Sequence, residues 1–326
     1  MRVREVFRVP EEQAARLRRA RRLEWATLFF MTTIVTVVGL AMGSSQAMKA
    51  AWVEDLLSLV PPAAFLVAAR WHDREPDPRF PYGYQRAFSI SFLIAAAALF
   101  GFGLFILYDS AMALVKMERP TIGTRELFGE PVWSGWLMIA ALAYSAIPPV
   151  VLGRLKLSIA RELHNKTLHT DADMNKADWM TAVAGILGIL GIGIGWWWAD
   201  AVAAGVISLS IVKDGFTGLR HSVADLMDRR PATVERGKPD PVIEALRLTL
   251  EELPWVRRAE VRLREEGMLL DGEAFVVAES ETVAPQRLRE AEEALGRTHW
   301  RVHDIVVTPV SELRRDREAR QPPPPG

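Results

Sequence analysis

The sequence predicts an α-helical membrane domain of six transmembrane helices, followed by a cytoplasmic α+β domain with a ferredoxin-like αββαβ order. Three observations lead to this fold class. Half of the 326 residues are apolar, and long uncharged runs fill the chain up to about residue 213. Several of these runs reach the roughly 20 residues that a helix needs to cross a bilayer. Beyond residue 240, charge is dense, and the apolar residues repeat first with a helical period and then with a strand period.

Six segments are apolar enough to span a membrane, near residues 26–43, 51–70, 88–108, 133–153, 179–198 and 199–219. The second contains Glu54 and Asp55, and the sixth contains Asp200, Lys213 and Asp214. Charged side chains are costly against lipid, so we expect these two spans to face the interior of the bundle.

Basic residues precede the first span and fill the connections between spans two and three and between spans four and five. By the positive-inside rule, both termini should be cytoplasmic, in a multi-pass protein of the cell inner (plasma) membrane. The predicted domains are a basic cytoplasmic segment (1–24), the transmembrane domain (25–228), a polar linker (229–239), the ferredoxin-like domain (240–311) and a disordered tail (312–326).

The last domain is predicted from periodicity alone. Helices are expected at 241–253 and 284–297, and strands at 256–264, 272–281 and 301–310. The tail after residue 312 is charged and rich in proline, which indicates disorder.

Composition also excludes several function classes. The 40 basic and 40 acidic residues balance, so we expect no nucleic-acid partner, and the absence of Cys excludes disulfides and thiolate metal sites. The sequence contains no nucleophile–base pairing, phosphate loop or cofactor fingerprint. We therefore expect a protein that is not an enzyme and has no bound cofactor.

The segment that enters the fifth span carries the clearest chemical pattern. Asp171, Met174, Asn175 and Asp178 are spaced i, i+3, i+4 and i+7, which places them along one side of a helix. A carboxylate at the edge of a membrane span marks an ion pathway by default. The pattern therefore predicts a path for a divalent cation.

Four local motifs, in order, resemble those of the cation diffusion facilitator (cation efflux) family. They are the loop 74–86 after span two, the segment 170–178 that opens span five, Ala199-Asp200-Ala201 and the acidic stretch 225–228. The resemblance extends from about residue 25 to residue 310. It implies a homodimeric efflux transporter for divalent metal cations, which exchanges them for protons by alternating access across the lipid bilayer.

The resemblance also implies which residues bind the cation. Family members use an (H/D)-x-x-x-D pair on each of spans two and five. Anchoring on Gly83 places the first pair at Glu54 and Ser58, and anchoring on Asp200 places the second at Met174 and Asp178. With Asp171 on the same stripe, this set contains no His, so manganese, iron or magnesium is favoured over zinc as the transported cation.

Alternatives remain open at several of these positions. His169 and Asp173 form a second H-x-x-x-D pair five residues earlier, and Asp55 is a rival to Glu54. The loss of His from the family's metal positions also allows a different function. In that case the chain would be a non-transporting dimeric membrane scaffold or an ion-responsive sensor of the same fold.

The loop after span two departs from the family pattern as well. Asp77 is kept, but Phe80 and Tyr84 occupy the positions where relatives have His, so we expect no metal site there. Arg86 and Asp228 match the family's structural ion pair between this loop and the end of span six.

Overall fold

The computed structural model describes the backbone of residues 9–72, 74–127 and 129–313, and within these ranges the side chains of all but His72, Leu127, Lys176 and Ala177. The chain divides into two compact units. The membrane unit contains residues 15–73 and 87–226, and the second unit contains the N-terminal residues up to Ala14, the loop 74–86 and the chain from residue 227.

The membrane unit consists of long helices. They are α1 (Glu11–Ala41), α2 (Gln46–Leu57), α3 (Val60–His72), α4 (Ala87–Val115), α5 (Ser134–Glu162), α6 (Lys166–Gly193) and α7 (Ala199–Leu226). In the described part of the chain, six helical segments are long and apolar enough to cross a membrane, when α2 and α3 count as one. The prediction of six spans is confirmed.

The second span is broken in the middle. Helix α2 ends at Leu57 with Ser58 as its C-cap, and α3 begins at Val60. Pro61 and Pro62 have no backbone N–H, so the carbonyls of Leu57 and Ser58 lack the donors that would continue the helix. The sequence predicted one uninterrupted span near residues 51–70.

Other boundaries also differ from the expected ones. Helix α1 begins at Glu11, so much of the basic segment 1–24 is helical and continuous with the first span. Helix α6 ends at Gly193, before the end of the predicted span 179–198, and the chain turns through Gly195 at a positive φ of 92°. A short hairpin of β1 (Thr124–Leu127) and β2 (Glu130–Trp133), which was not predicted, precedes α5.

Small residues bring the helices close together. A Cβ at Gly188 of α6 would lie 2.7 Å from the Cβ of Ala203, and one at Gly218 of α7 would lie 2.9 Å from the Cβ of Ala96. These contacts hold α7 antiparallel to both α6 and α4. Small-residue contacts of this kind are a common basis of helix packing in membranes.

The second unit contains α8 (Pro241–Glu251), β3 (Val256–Glu266), β4 (Leu269–Ala278), α9 (Pro285–Thr298) and β5 (Val302–Pro309). Strand β4 lies in the centre of the sheet, antiparallel to β3 and parallel to β5. The predicted αββαβ order is confirmed. Both helices cover the sheet through buried residues such as Leu246, Leu250 and Leu295.

A buried arginine braces this domain. Arg301 is fully buried, and its guanidinium donates to Asp240 Oδ2 at 2.6 Å and to Glu265 Oε1 at 2.7 Å. Asp240 also caps α8, because its Oδ1 accepts a hydrogen bond from the N–H of Val242 at 3.0 Å.

Candidate functional site

A cavity of about 180 Å³ lies inside the membrane unit, between α2, α6 and α7, with Leu99 of α4 on one side. A water molecule takes up roughly 30 Å³ in the liquid, so this space holds a metal ion with a few waters. Its lining residues are Glu54, Ser58, Leu99, Met174, Asp178, Met180, Thr181, Ala184, Val206, Ile207, Ser210, Ile211 and Asp214.

This one cavity is lined by all four residues that the family motifs predict as ligands, Glu54, Ser58, Met174 and Asp178. Glu54 comes from the last turn of α2 and Ser58 from its C-cap. Met174 and Asp178 are four residues apart and so lie on the same side of α6. The fold thus brings together two pairs that are more than 100 residues apart in the sequence.

The charges in the cavity are not balanced by the protein. Glu54 Oε1 accepts a hydrogen bond from Thr181 Oγ1 at 3.2 Å. Glu54 Oε2 and Asp178 Oδ2 are buried without a hydrogen-bond partner among the described residues. No basic side chain is among the lining residues of the cavity in that same part of the chain. Buried carboxylates without partners are costly, and a bound cation would remove that cost.

Asp171 lies apart from these four residues. It belongs to a cluster, the lysine cluster, in which Lys156 Nζ lies 2.5 Å from Asp171 Oδ2 and 2.9 Å from Glu24 Oε2. All three side chains are buried, and Asn175 Nδ2 also donates to Asp171 Oδ2, at 3.4 Å. The cluster connects α1, α5 and α6.

Depth along the helix explains why the predicted stripe splits. Successive residues of an α-helix are rotated by about 100° and rise by about 1.5 Å, so Asp171 and Asp178 differ by only about 20° around the axis but by about 10 Å along it. Asp171 and Asn175 face Lys156, whereas Met174 and Asp178 face the cavity. The i, i+3, i+4, i+7 stripe therefore reaches two different sites, at different depths along α6.

The rival residues do not line the cavity. His169 and Asp173 are absent from its lining, and Asp173 is exposed. Asp55 is also absent from the lining, although its Oδ2 is buried without a hydrogen-bond partner in the described ranges. The geometry favours the later register on α6 and Glu54 on α2.

The cavity is not a ready-made metal cage. Among the residues that the structure describes, no three His, Asp or Glu side chains lie close enough together to hold a metal ion. A cation in this cavity would need neutral oxygens, the Met174 thioether, water or a movement of the helices in addition to the two carboxylates.

Three polar residues of the described lining, Thr181, Ser210 and Asp214, were not predicted as part of the site. Asp214 was recognised as a charge that faces the interior but was not assigned to the site. The signal was present, since a carboxylate within an apolar span is a functional candidate by default.

Asp200, in the first turn of α7, has a structural role, since it caps the start of α2. Its buried carboxylate accepts hydrogen bonds from Ser45 Oγ at 2.6 Å, Gln46 N at 2.5 Å and Ala47 N at 3.2 Å. It therefore binds the free N–H groups at the start of α2 and fixes the height of α2 against α7.

In the second unit, Asp77 has partners that leave little need for a metal. Its carboxylate accepts hydrogen bonds from Tyr84 Oη at 2.6 Å and from the N–H groups of Arg79 and Phe80 at 2.7 and 2.9 Å. The hydrogen bond from Tyr84, followed by that from Phe80, lowers the pKa of Asp77 below its ordinary value.

The two residues of the expected ion pair are in contact. Arg86 Nη2 lies 2.5 Å from Asp228 Oδ1 and 3.6 Å from Glu266 Oε1.

Comparison with known proteins agrees with this architecture. Residues 25–227 match the family model described as the cation efflux transmembrane domain, which is more than half of the chain. The chain belongs to the cation efflux family. As a member of that family, it is a multi-pass membrane protein whose fold serves the export of cations.

Individual members of the cation efflux family are similar over most of their length. The manganese efflux system protein MneS of Bacillus subtilis is 25% identical over 72% of this chain and 73% of its own. The magnetosome protein MamB of Magnetospira sp. is 24% identical over 86% and 90%. The zinc transporter ZitB of Escherichia coli is 25% identical over 73% and 70%.

Proposed function

We propose that this protein exports divalent metal cations, in exchange for protons, through the cavity between α2, α6 and α7. It would do so as a homodimer in the inner (plasma) membrane, with both termini in the cytoplasm. The observation that carries the proposal is the pair of carboxylates of Glu54 and Asp178. Each has a buried oxygen without a hydrogen-bond partner among the described residues, and both face one cavity without a basic side chain in its described lining. Ser58 and Met174 would complete the set of ligands.

The ligands favour manganese, with iron(II) and magnesium next and zinc last. Two carboxylates and a hydroxyl are oxygen ligands, which suit manganese and magnesium, whereas zinc sites usually contain His or Cys. The sequence has no Cys, and no His lines the cavity in the described part of the chain. The named manganese efflux protein among the relatives supports this order, and the named zinc transporter gives the competing expectation.

Proton exchange follows from the same two carboxylates. A carboxylate must lose its proton to bind a metal, so protons and metal compete for Glu54 and Asp178. Binding from the cytoplasm would release protons, and protons entering from the other side would displace the metal.

Packed apolar side chains lie between the cavity and Asp200. Ala50 of α2, Ile106 of α4 and Ala204 of α7 are all buried in one cluster. Ala50 and Ala204 lie between the level of the Asp200 cap and the level of the cavity. Transport would require this contact to open when the opposite route closes, as in other alternating-access proteins.

A second candidate function is a non-transporting dimeric scaffold or an ion-responsive sensor. It is favoured by the lack of three convergent His, Asp or Glu side chains in the described residues. A protein of this kind would keep the fold without a cation flux.

Metal flux into proteoliposomes tests the proposal. Purified protein would be reconstituted, and uptake of Mn²⁺, Fe²⁺, Mg²⁺ and Zn²⁺ would be measured under pH gradients of both signs. We expect saturable Mn²⁺ flux that depends on the sign of the gradient, is lost in Asp178→Ala and is kept in the matched variant Asp173→Ala. Retained flux in Asp178→Ala with loss in Asp173→Ala would move the site to His169 and Asp173. No flux of any metal from folded protein would leave the scaffold or sensor.

A further inference from the structure

Asp214 of α7 is an acidic residue of the cavity that the family pattern does not assign. It is half-buried and lines the same cavity as Glu54 and Asp178. It forms no hydrogen bond and no ion pair with any residue that the structure describes, and the neighbouring Lys213 is exposed. A carboxylate in this position needs a partner, and the described residues offer it the charge of the exposed neighbour Lys213 without a direct contact.

The packing of α6 against α7 places Asp214 at the depth of Asp178. The two helices are antiparallel, and Gly188 faces Ala203 while Gly191 faces Ala199. In antiparallel helices, each step forward on α6 is matched by a step backward on α7. Asp178, ten residues before Gly188, therefore faces α7 near residue 212, about ten residues after Ala203. Asp214 lies two residues beyond that point, which is about 3 Å along a helix with a rise of 1.5 Å per residue.

The packing of α2 against α7 places Asp214 near Ser58 as well. Asp200 binds the N–H groups of Gln46 and Ala47, so α2 and α7 start at the same level and run in the same direction. Ser58 is 12 residues after Gln46, and residue 212 is 12 residues after Asp200. Asp214 is therefore within one helical turn of the level of Ser58.

We infer that Asp214 is a cation-binding residue that supplies, from α7, the carboxylate that α2 lacks at Ser58. The inference rests on the proposed function, because it adds a ligand to the same cavity. The site would then have three carboxylates from three helices, Glu54, Asp214 and Asp178, with Ser58 and Met174 as weaker neutral ligands. Such a set selects hard divalent cations that accept oxygen ligands, manganese and magnesium before zinc.

The three carboxylates do not converge on a single point in this structure, in which no three described acidic or His side chains form a metal group. A cation would draw Asp214 inward from its half-buried position, which requires only a side-chain rotation or a small shift of α7. Binding would therefore connect α7 to α2 and α6.

The test is the effect of Asp214→Asn on the affinity for Mn²⁺, measured as KM in proteoliposomes and as calorimetric binding to the detergent-purified protein. We expect KM and Kd to rise by at least about tenfold, the range in which lost metal-site contacts usually fall. Asp109→Asn, an exposed acid on α4, is the matched control and should bind and transport like the wild type. Size-exclusion profiles would establish that each variant is folded.

A rescue variant separates a ligand from a merely structural residue. Ser58→Asp, added to Asp214→Asn, returns a carboxylate to α2 at nearly the same depth, and we expect it to recover most of the lost affinity. If Asp214→Asn does not fold, the single variant Ser58→Asp still tests the inference, since a carboxylate added beside Asp214 should raise the affinity for Mn²⁺.

The outcomes distinguish this inference from the proposed function. Loss of flux in Asp178→Asn with wild-type KM and Kd in Asp214→Asn would overturn the role of Asp214 alone. A loss of affinity in Asp214→Asn that Ser58→Asp fails to rescue would also overturn it, because the residue would then act through the fold. Absence of Mn²⁺ flux and binding in the wild type would overturn both proposals.

Discussion

Two groups of acids in the membrane unit, the lysine cluster and the cavity acids, differ in whether a basic side chain of the protein contacts them. In the lysine cluster, Lys156 lies between Glu24 and Asp171 and contacts both. In the cavity, Glu54 and Asp178 have no basic partner among the described lining residues. A buried acid with its own cation is part of the structure, whereas one without it must obtain a cation or a proton from outside.

The comparison also shows how one helix serves both purposes. Asp171 and Asp178 are two turns apart on α6, one beside Lys156 and the other in the cavity. The lysine cluster joins α6 to α1 and α5, and the cavity lies between α6 and the pair α2 and α7. Helix α6 therefore contacts a permanent ion cluster at one depth and faces the proposed cargo two turns further along.

The largest expected effect comes from removing the charged amine of Lys156 from the lysine cluster. Lys156→Met should destabilise the protein by about 3–5 kcal/mol, because it leaves two buried carboxylates without a counter-ion. Thermal or denaturant unfolding in detergent measures this loss. The neutral triple variant Glu24→Gln, Lys156→Met, Asp171→Asn should recover most of it, since no buried charge remains. Equal stability of Lys156→Met and the wild type would show that the cluster is not a structural ion group.

Adding Mn²⁺ to the wild-type protein should produce the next largest effect. Mn²⁺ at about 100 times its Kd should stabilise the wild type by about 2.7 kcal/mol, and Glu54→Gln should gain almost nothing. Unfolding with and without Mn²⁺ gives both values. Asp55→Asn, which changes the neighbouring acid outside the cavity lining, is the matched control and should respond like the wild type. A Glu54→Gln protein that is still stabilised by Mn²⁺ would place the cation elsewhere.

A smaller effect is expected when one acid of the lysine cluster is neutralised. Asp171→Asn should cost about 2 kcal/mol, the usual value of a hydrogen bond to a charged group, because Lys156 keeps Glu24 as a partner. Its KM for Mn²⁺ should equal that of the wild type, in contrast to Asp178→Asn. A rise in KM of the size seen with Asp178→Asn would instead place Asp171 in the transport site, as the sequence stripe suggested.

The parts of the molecule that the sequence predicts well are those set by local pattern. Hydropathy locates six spans, and periodicity locates the five elements of the second domain in the right order. The resemblance selects Glu54, Ser58, Met174 and Asp178, and the fold places all four around one cavity.

The other contacts of the site depend on how the helices are rotated and packed against one another. Local patterns in a single sequence do not predict these. Lys156 is an ordinary basic residue near the end of α5, and only packing shows that it meets Glu24, 132 residues away. In the sequence, Asp214 is one of three charged residues in span six. Its place in the cavity depends on the position of α7 along its neighbours, which the contacts of Gly188, Gly191 and Asp200 determine. The break at Ser58 is a partial exception, since Pro61-Pro62 is visible in the sequence.

The smallest expected effect concerns Asp77, an acid whose partners are a neutral hydroxyl and two amides in the exposed loop 74–86. The hydrogen bond from Tyr84 favours the ionised carboxylate and lowers its pKa from the ordinary 3.8. The stabilisation of the loop is present above the ordinary pKa and is lost as the pH falls through the lower pKa of the folded protein.

Tyr84→Phe should therefore raise the pKa of Asp77 toward 3.8 without reaching it, because the N–H groups of Arg79 and Phe80 remain as donors. A carbon-13 NMR titration of labelled Asp carboxyls, with Asp77→Asn to assign the signal, measures the shift. Metal flux should not change, since Asp77 is outside the cavity. A pKa that stays equally low in Tyr84→Phe would mean that the backbone amides alone satisfy this carboxylate. Its lowered pKa would then be a property of the turn and not of the tyrosine that stands where relatives have His.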